Sequence, residues 1–95
     1  YGFRRSYAGG DELLREAEID ALFVCTPTHD HAGWVHAAAQ RRLAIFCEKP
    51  LAMSYAEGLG MVQAAAEAGC PTQIGLVLRY SAVYAAMRGL CADAA

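Results

Sequence analysis

The chain has 95 residues, a formal net charge of -2, 56% apolar and 19% charged residues. The small negative charge points away from nucleic acid and anionic membrane surfaces as partners. No apolar run approaches the roughly 18 residues of a membrane span, and YGFRRSYAGG at the N-terminus has no signal-peptide core. The charged fraction is below the ~25% of an average soluble domain, and much of the apolar excess is alanine, which favours packed helices.

Residues 11–16 (DELLRE) predict a short helix, with Asp11 as its cap and Leu13 and Leu14 as its apolar edge. Residues 21–25 (ALFVC) form a continuous apolar run, as expected of a strand buried on both faces of a parallel sheet, and Pro27 ends it. A helix is expected from residue 28 to about 41, with Trp34, Val35, Ala38 and Ala39 near one stripe. Residues 43–47 predict a second strand. Ser54 and Glu57 have the spacing of a capping box, opening a helix that runs through Ala68, closes at Gly69 and is barred from continuing by Pro71. Residues 72–78 (TQIGLVL) predict a third strand, and residues 81–95 a last helix with Val83, Met87 and Leu90 on one face.

Alternating helices and strands with short connections predict an α/β fold of parallel strands joined by right-handed crossovers. Ligands then collect at the carboxyl ends of the strands. Three segments fall there: TPTHDH, EKPLA and RYS. Lys49 leaves a strand end with its backbone restricted by Pro50, so its ammonium can meet a substrate oxygen and favour negative charge on it. Glu48 can offset that charge or accept from a ribose hydroxyl. Both also fit an ordinary solvated strand end. Arg79 offers a fork for phosphate or carboxylate, or is a plain strand-end cation.

His29, Asp30 and His31 suggest a metal pattern, but with His36 they are all the histidines there are, and a binuclear hydrolase needs more ligands; no metal is expected. A ligand-facing or turn-capping histidine, or a surface one, remains open. The four cysteines are separated by 21, 22 and 20 residues. They fit neither zinc pairs nor a secreted disulfide framework and read as reduced fillers in a cytoplasmic protein. Gly9-Gly10 lacks the GxGxxG spacing of a phosphate loop.

Taken together, DALFVCTPTHDH, CEKPLA and AAAEAGCPTQIGLVLRY resemble, in order and spacing, the Gfo/Idh/MocA oxidoreductases, relatives of glucose–fructose oxidoreductase and inositol dehydrogenase. The resemblance covers essentially the whole chain. It implies a Rossmann-type domain binding NAD or NADP, a second domain for substrate, and hydride exchange with a sugar, cyclitol or related alcohol. It assigns Lys49 as the catalytic lysine. It places Thr26, Pro27, His31, Glu48, Lys49, Pro50 and Arg79 at the cofactor groove. A homo-oligomer is expected of the complete protein. A non-catalytic dinucleotide sensor on the same fold is the rival reading.

Two positions depart from the family pattern. Arg42 stands where glycine usually takes a left-handed conformation, at a cost of about 1 kcal/mol if that geometry persists. Ser81 and Ala82 stand where proline is common. The first strands and the GxGxxG loop of the pattern are not found. The expectation is therefore the C-terminal half of a dinucleotide-binding domain: strands 4, 5 and 6 of the doubly wound order, over residues 1–78. Residues 79–95 then begin the connection to an absent substrate domain. Such a piece alone is expected to be insoluble or molten and catalytically dead. The Lys49–Pro50 isomer, the substrate and the choice between NAD and NADP are left open.

Overall fold

A computed structural model describes residues 2–94. The elements run in order α1 (Gly10–Glu16), β1 (Ala21–Val24), a 3-10 turn (Thr28–Asp30), α2 (His31–Gln40), β2 (Ala44–Cys47), α3 (Tyr55–Ala68), β3 (Thr72–Ile74), a second 3-10 turn (Val77–Tyr80) and α4 (Ala82–Asp93). Tyr1, at the start of the expected 1–78 unit, and Ala95, at the end of the expected last helix, lie outside the described residues.

The strands form one parallel sheet in the order β1-β2-β3. Leu22 pairs with Ile45 and Val24 with Cys47; Ile45 and Cys47 pair in turn with Thr72 and Ile74. Because side chains alternate, this register sends Val24, Ile45 and Cys47 to one face. There they meet Val35, Ala38 and Ala39 of α2 and Met61 and Ala65 of α3, and together they form the core. Full burial of Met61, Ile45 or Val35 stabilises the fold by about 1.5–3 kcal/mol each. Alanines at positions 38, 39 and 65 let the two helices approach closely. Gly10 serves the same purpose for α1: a Cβ there would come within 2.5 Å of the Trp34 ring on α2.

The opposite face of the sheet departs from the sequence expectation. Phe23 is 68% exposed and stacks on Phe46 with ring centroids 5.1 Å apart. β1 is an edge strand, and α2 and α3 both serve the other face. Burial on both faces is therefore not realised among the described residues. The continuous apolarity of ALFVC is nevertheless what a strand covered on two sides requires.

Helix ends follow local chemistry, with one correction. Ser54 caps α3, its hydroxyl accepting from the Glu57 N–H at 3.2 Å, while the Glu57 carboxylate accepts from the Met53 N–H at 2.7 Å. At its other end Gly69 takes φ 69°, its N–H donating to Ala66 O and that of Cys70 to Ala65 O, a Schellman closure. α2 closes by the same motif with Arg42 in the left-handed position at φ 55°, its N–H donating to Ala39 O and that of Leu43 to Ala38 O. The α1 cap is Gly9 rather than Asp11. Asp11 lies inside the first turn, where its charge favours the positive helix end. No side chain caps the helix N–H groups; Glu12 instead accepts from the Ala8 N–H at 2.7 Å and ties the incoming chain to the first turn.

Candidate functional site

All three strands leave the sheet at one level. The ladder runs one residue past each neighbour: the Glu48 N–H donates to Val24 O at 3.0 Å and the Gly75 N–H to Cys47 O at 2.9 Å. Residues 25–31, 48–52 and 75–79 therefore start from a common ledge. The Lys49–Pro50 peptide bond is cis.

The third strand is shorter than its sequence predicts. Thr72–Ile74 is paired, but residues 75–78 are not. Among the described residues their one neighbouring strand is β2, which has already turned out of the sheet. Pro50 has no N–H to offer, and the Lys49 N–H is taken by the Glu48 carboxylate at 3.0 Å. With no ladder to join, the chain bends at Gly75, where the Leu76 N–H donates to Ile74 O at 2.7 Å across a three-residue turn. It then forms the 3-10 turn that carries Arg79. Arg79 thus approaches the ledge from a turn, not from a strand end.

His31 is the deepest polar group of the site. It opens α2 and is 1% exposed. Nε2 lies 2.9 Å from Thr26 O; Nδ1 lies 3.1 Å from Pro50 O and 3.3 Å from Leu51 O. The ring ties the segment after β1 to the segment after β2. All its partners are acceptors, so it serves both sides only when each nitrogen carries a hydrogen. With both nitrogens turned to carbonyls, His31 lies under the ledge and ties its two sides together. His29 is exposed, 3.5 Å from the Asp30 carboxylate, so the two histidines of the HDH triplet diverge. Among the described residues no three metal-ligating side chains converge.

Thr26, Pro27, Lys49, Pro50 and Arg79 are exposed. Lys49 and Arg79 line one open cleft of about 610 Å³ together with Gly75, Leu76, Val77 and Leu78 and with Tyr84 and Arg88 of α4. The Glu48 carboxylate sits beside Gly75, where a Cβ would come within 3.0 Å of it. Glycine there leaves room for that carboxylate at the base of the ledge. Below it, burial pushes the Cys47 thiol above its ordinary pKa, helped by Cys25 and by the negative charge of Glu48. The thiol is a neutral filler, not a nucleophile.

Sequence reasoning singled out neither Tyr84 nor Arg88 for the site. Their signal was present: positions 84 and 88 are four apart and share a helix face, beside the apolar stripe of Val83, Met87 and Leu90.

Comparison with known proteins agrees with this geometry. Residues 1–76 match the model of an oxidoreductase family with an NAD-binding Rossmann fold, GFO_IDH_MocA. Inositol 2-dehydrogenase of Paracoccus denitrificans is 39% identical over 83 residues, 85% of this chain and 24% of that protein. The scyllo-inositol 2-dehydrogenase (NAD(+)) of Bacillus subtilis is 35% identical, over 78% of this chain and 22% of that protein. Among solved structures, myo-inositol 2-dehydrogenase from Lactobacillus plantarum superposes with a TM-score of 0.81 at 26% identity, covering 92% of this chain and 26% of that one. The chain spans about a fifth to a quarter of the length of the curated relatives it matches. With its parallel sheet, its ledge and its EKP turn, the chain belongs to the Gfo/Idh/MocA family of NAD-binding, Rossmann-fold oxidoreductases.

Proposed function

We propose that this chain is the second half of the dinucleotide-binding domain of an NAD(P)-dependent oxidoreductase that acts on a sugar, cyclitol or related alcohol. Residues 1–78 carry the cofactor-binding part and residues 79–95 start the connection to a substrate domain. The observation that carries the reading is the meeting of Lys49 and Arg79 in one cleft at the carboxyl ends of three parallel strands, in a chain of this family. A cytoplasmic homo-oligomer is part of the same proposal. Four free thiols support the reducing compartment, and the exposed sheet face is apolar surface that further chain or a second copy would cover.

The residues present fit the nicotinamide end of a dinucleotide. Thr26 and Pro27 offer an open edge. Glu48, whose carboxylate takes the room that Gly75 leaves, is an acceptor suited to ribose hydroxyls. When bound, the dinucleotide supplies a two-electron hydride acceptor or donor. Lys49 donates to the reacting oxygen of the alcohol and stabilises the charge that develops as the O–H proton leaves for a base outside this segment. His31, through the Thr26 and Pro50 carbonyls, holds the lysine turn against the first strand's exit.

The test is Lys49→Met in the complete protein. Loss of an electrostatic donor of this kind lowers kcat by about 10²–10³-fold, with dinucleotide affinity largely kept. Undiminished turnover removes Lys49 from the chemistry. A wild-type protein that binds dinucleotide but turns over no alcohol is a sensor instead, and one that binds neither NAD nor NADP ends the reading.

A further inference from the structure

The cleft over Lys49 holds more positive charge than transfer from a neutral alcohol requires. Lys49, Arg79 and Arg88 line it, with Tyr84 the only other ionising side chain there among the described residues. None of the three cations lies within 4.0 Å of a carboxylate among the described residues. Glu48, the nearest acid by position, directs its carboxylate at Gly75 and at the Lys49 N–H. One ammonium is enough to hold a reacting oxygen. Two guanidinium groups beside it are surplus, and each is a planar fork suited to two oxygens of one anion. All three cations are exposed, so no burial cost is at work; but three like charges lining one cleft repel one another, and an anion bound among them relieves that repulsion. The cleft, about 610 Å³, lies within the range of small-molecule sites. The cofactor's own phosphates do not supply the anion. In doubly wound domains they sit at a glycine-rich helix start after the first strand, and this cleft lies after the third strand of the present chain.

We infer that the cleft takes an anionic substrate: a polyol or sugar bearing a carboxylate or phosphate, its reacting hydroxyl on Lys49 and its anionic group on Arg79 and Arg88. This rests on the oxidoreductase reading and narrows its substrate class. Arg88 is then a specificity-determining residue supplied by α4. Tyr84, one turn earlier on the same face, adds a hydroxyl donor to the cleft wall.

The experiment uses the complete protein with NAD or NADP present. Calorimetric titration compares glucose with gluconate, glucuronate and glucose 6-phosphate, for wild type, Arg88→Met and Arg88→Lys. At least one anionic probe is expected to bind wild type about tenfold or more tightly than glucose, and less tightly as salt is raised. Arg88→Met weakens that probe by about 10- to 100-fold, the loss of a charged hydrogen bond, and Arg88→Lys restores part of it. Dinucleotide affinity and melting temperature stay at wild-type values. Carboxylate and phosphate sources are separated by which probe responds. Equal binding of glucose and all three anions overturns the inference. So does an Arg88→Met variant that keeps the preference or loses dinucleotide instead. Turnover is measured separately, on these probes and on cyclitols: anion binding without turnover of any alcohol leaves the cleft assignment standing and counts against the oxidoreductase reading, while turnover with no preference for anionic substrates does the reverse.

Discussion

Replacing His31 by leucine tests whether the ledge is held from beneath. Leucine is of similar bulk and apolar, so it fills the space without opening a large cavity, and the change is mainly the loss of polar contacts. Those contacts are Thr26 O on one side and Pro50 O and Leu51 O on the other, at 2.9, 3.1 and 3.3 Å. None of the three carbonyls has another backbone partner among the described residues. An unsatisfied buried carbonyl costs about 1–3 kcal/mol. A ring with one N–H donates to one side only, and Thr26 and Pro50 are exposed residues, so water reaches part of what the ring releases. The expected destabilisation is therefore about 1–3 kcal/mol. It is read as a lower urea midpoint at unchanged slope in the complete protein. Lys49 stays in the chain but loses its anchored turn, so kcat falls as well, with a smaller change in KM. His31→Asn, which is shorter and reaches one side only, lies between. A midpoint shift worth under about 0.5 kcal/mol, the range of an ordinary surface substitution, would refute the view that this ring supports the ledge.

Arg42 and the cysteines carry three further expectations. Arg42 holds a left-handed conformation at φ 55°, so Arg42→Gly relieves about 1 kcal/mol of backbone cost, partly offset by the freer unfolded chain; a net gain of about 0.5 kcal/mol in the midpoint is expected, and a loss would mean that the Arg42 side chain makes a stabilising contact. Cys47 is buried with its pKa raised. The folded state therefore keeps a proton that the unfolded state gives up at alkaline pH, and stability present below the ordinary thiol pKa is lost as pH rises through the folded value. Cys47→Ala should flatten that alkaline loss in a pH series of urea midpoints. At neutral pH a thiol reagent should modify the exposed Cys25 and Cys91 well before Cys47.

The sequence by itself determined a good deal about this protein. Alternating helix and strand signals fixed a parallel α/β arrangement. The Ser54–Glu57 box and Gly69 fixed both ends of α3, and the EKP turn with its neighbours fixed the family and singled out Lys49. These features are local, because capping, left-handed closure and apolar runs depend on residues a few positions apart. Three matters were decided only by the tertiary structure. His31 went under the ledge because its ring meets carbonyls from segments that are distant in the chain until the strands align. β3 stopped at Ile74 because its partner strand turned away, which no reading of TQIGLVL alone reveals. Arg88 reached the Lys49 cleft because the turn at Val77–Tyr80 redirects α4 across it. In each case the outcome depends on which neighbour's backbone or charge arrives from elsewhere in the chain, and pairing of that kind exists only after folding.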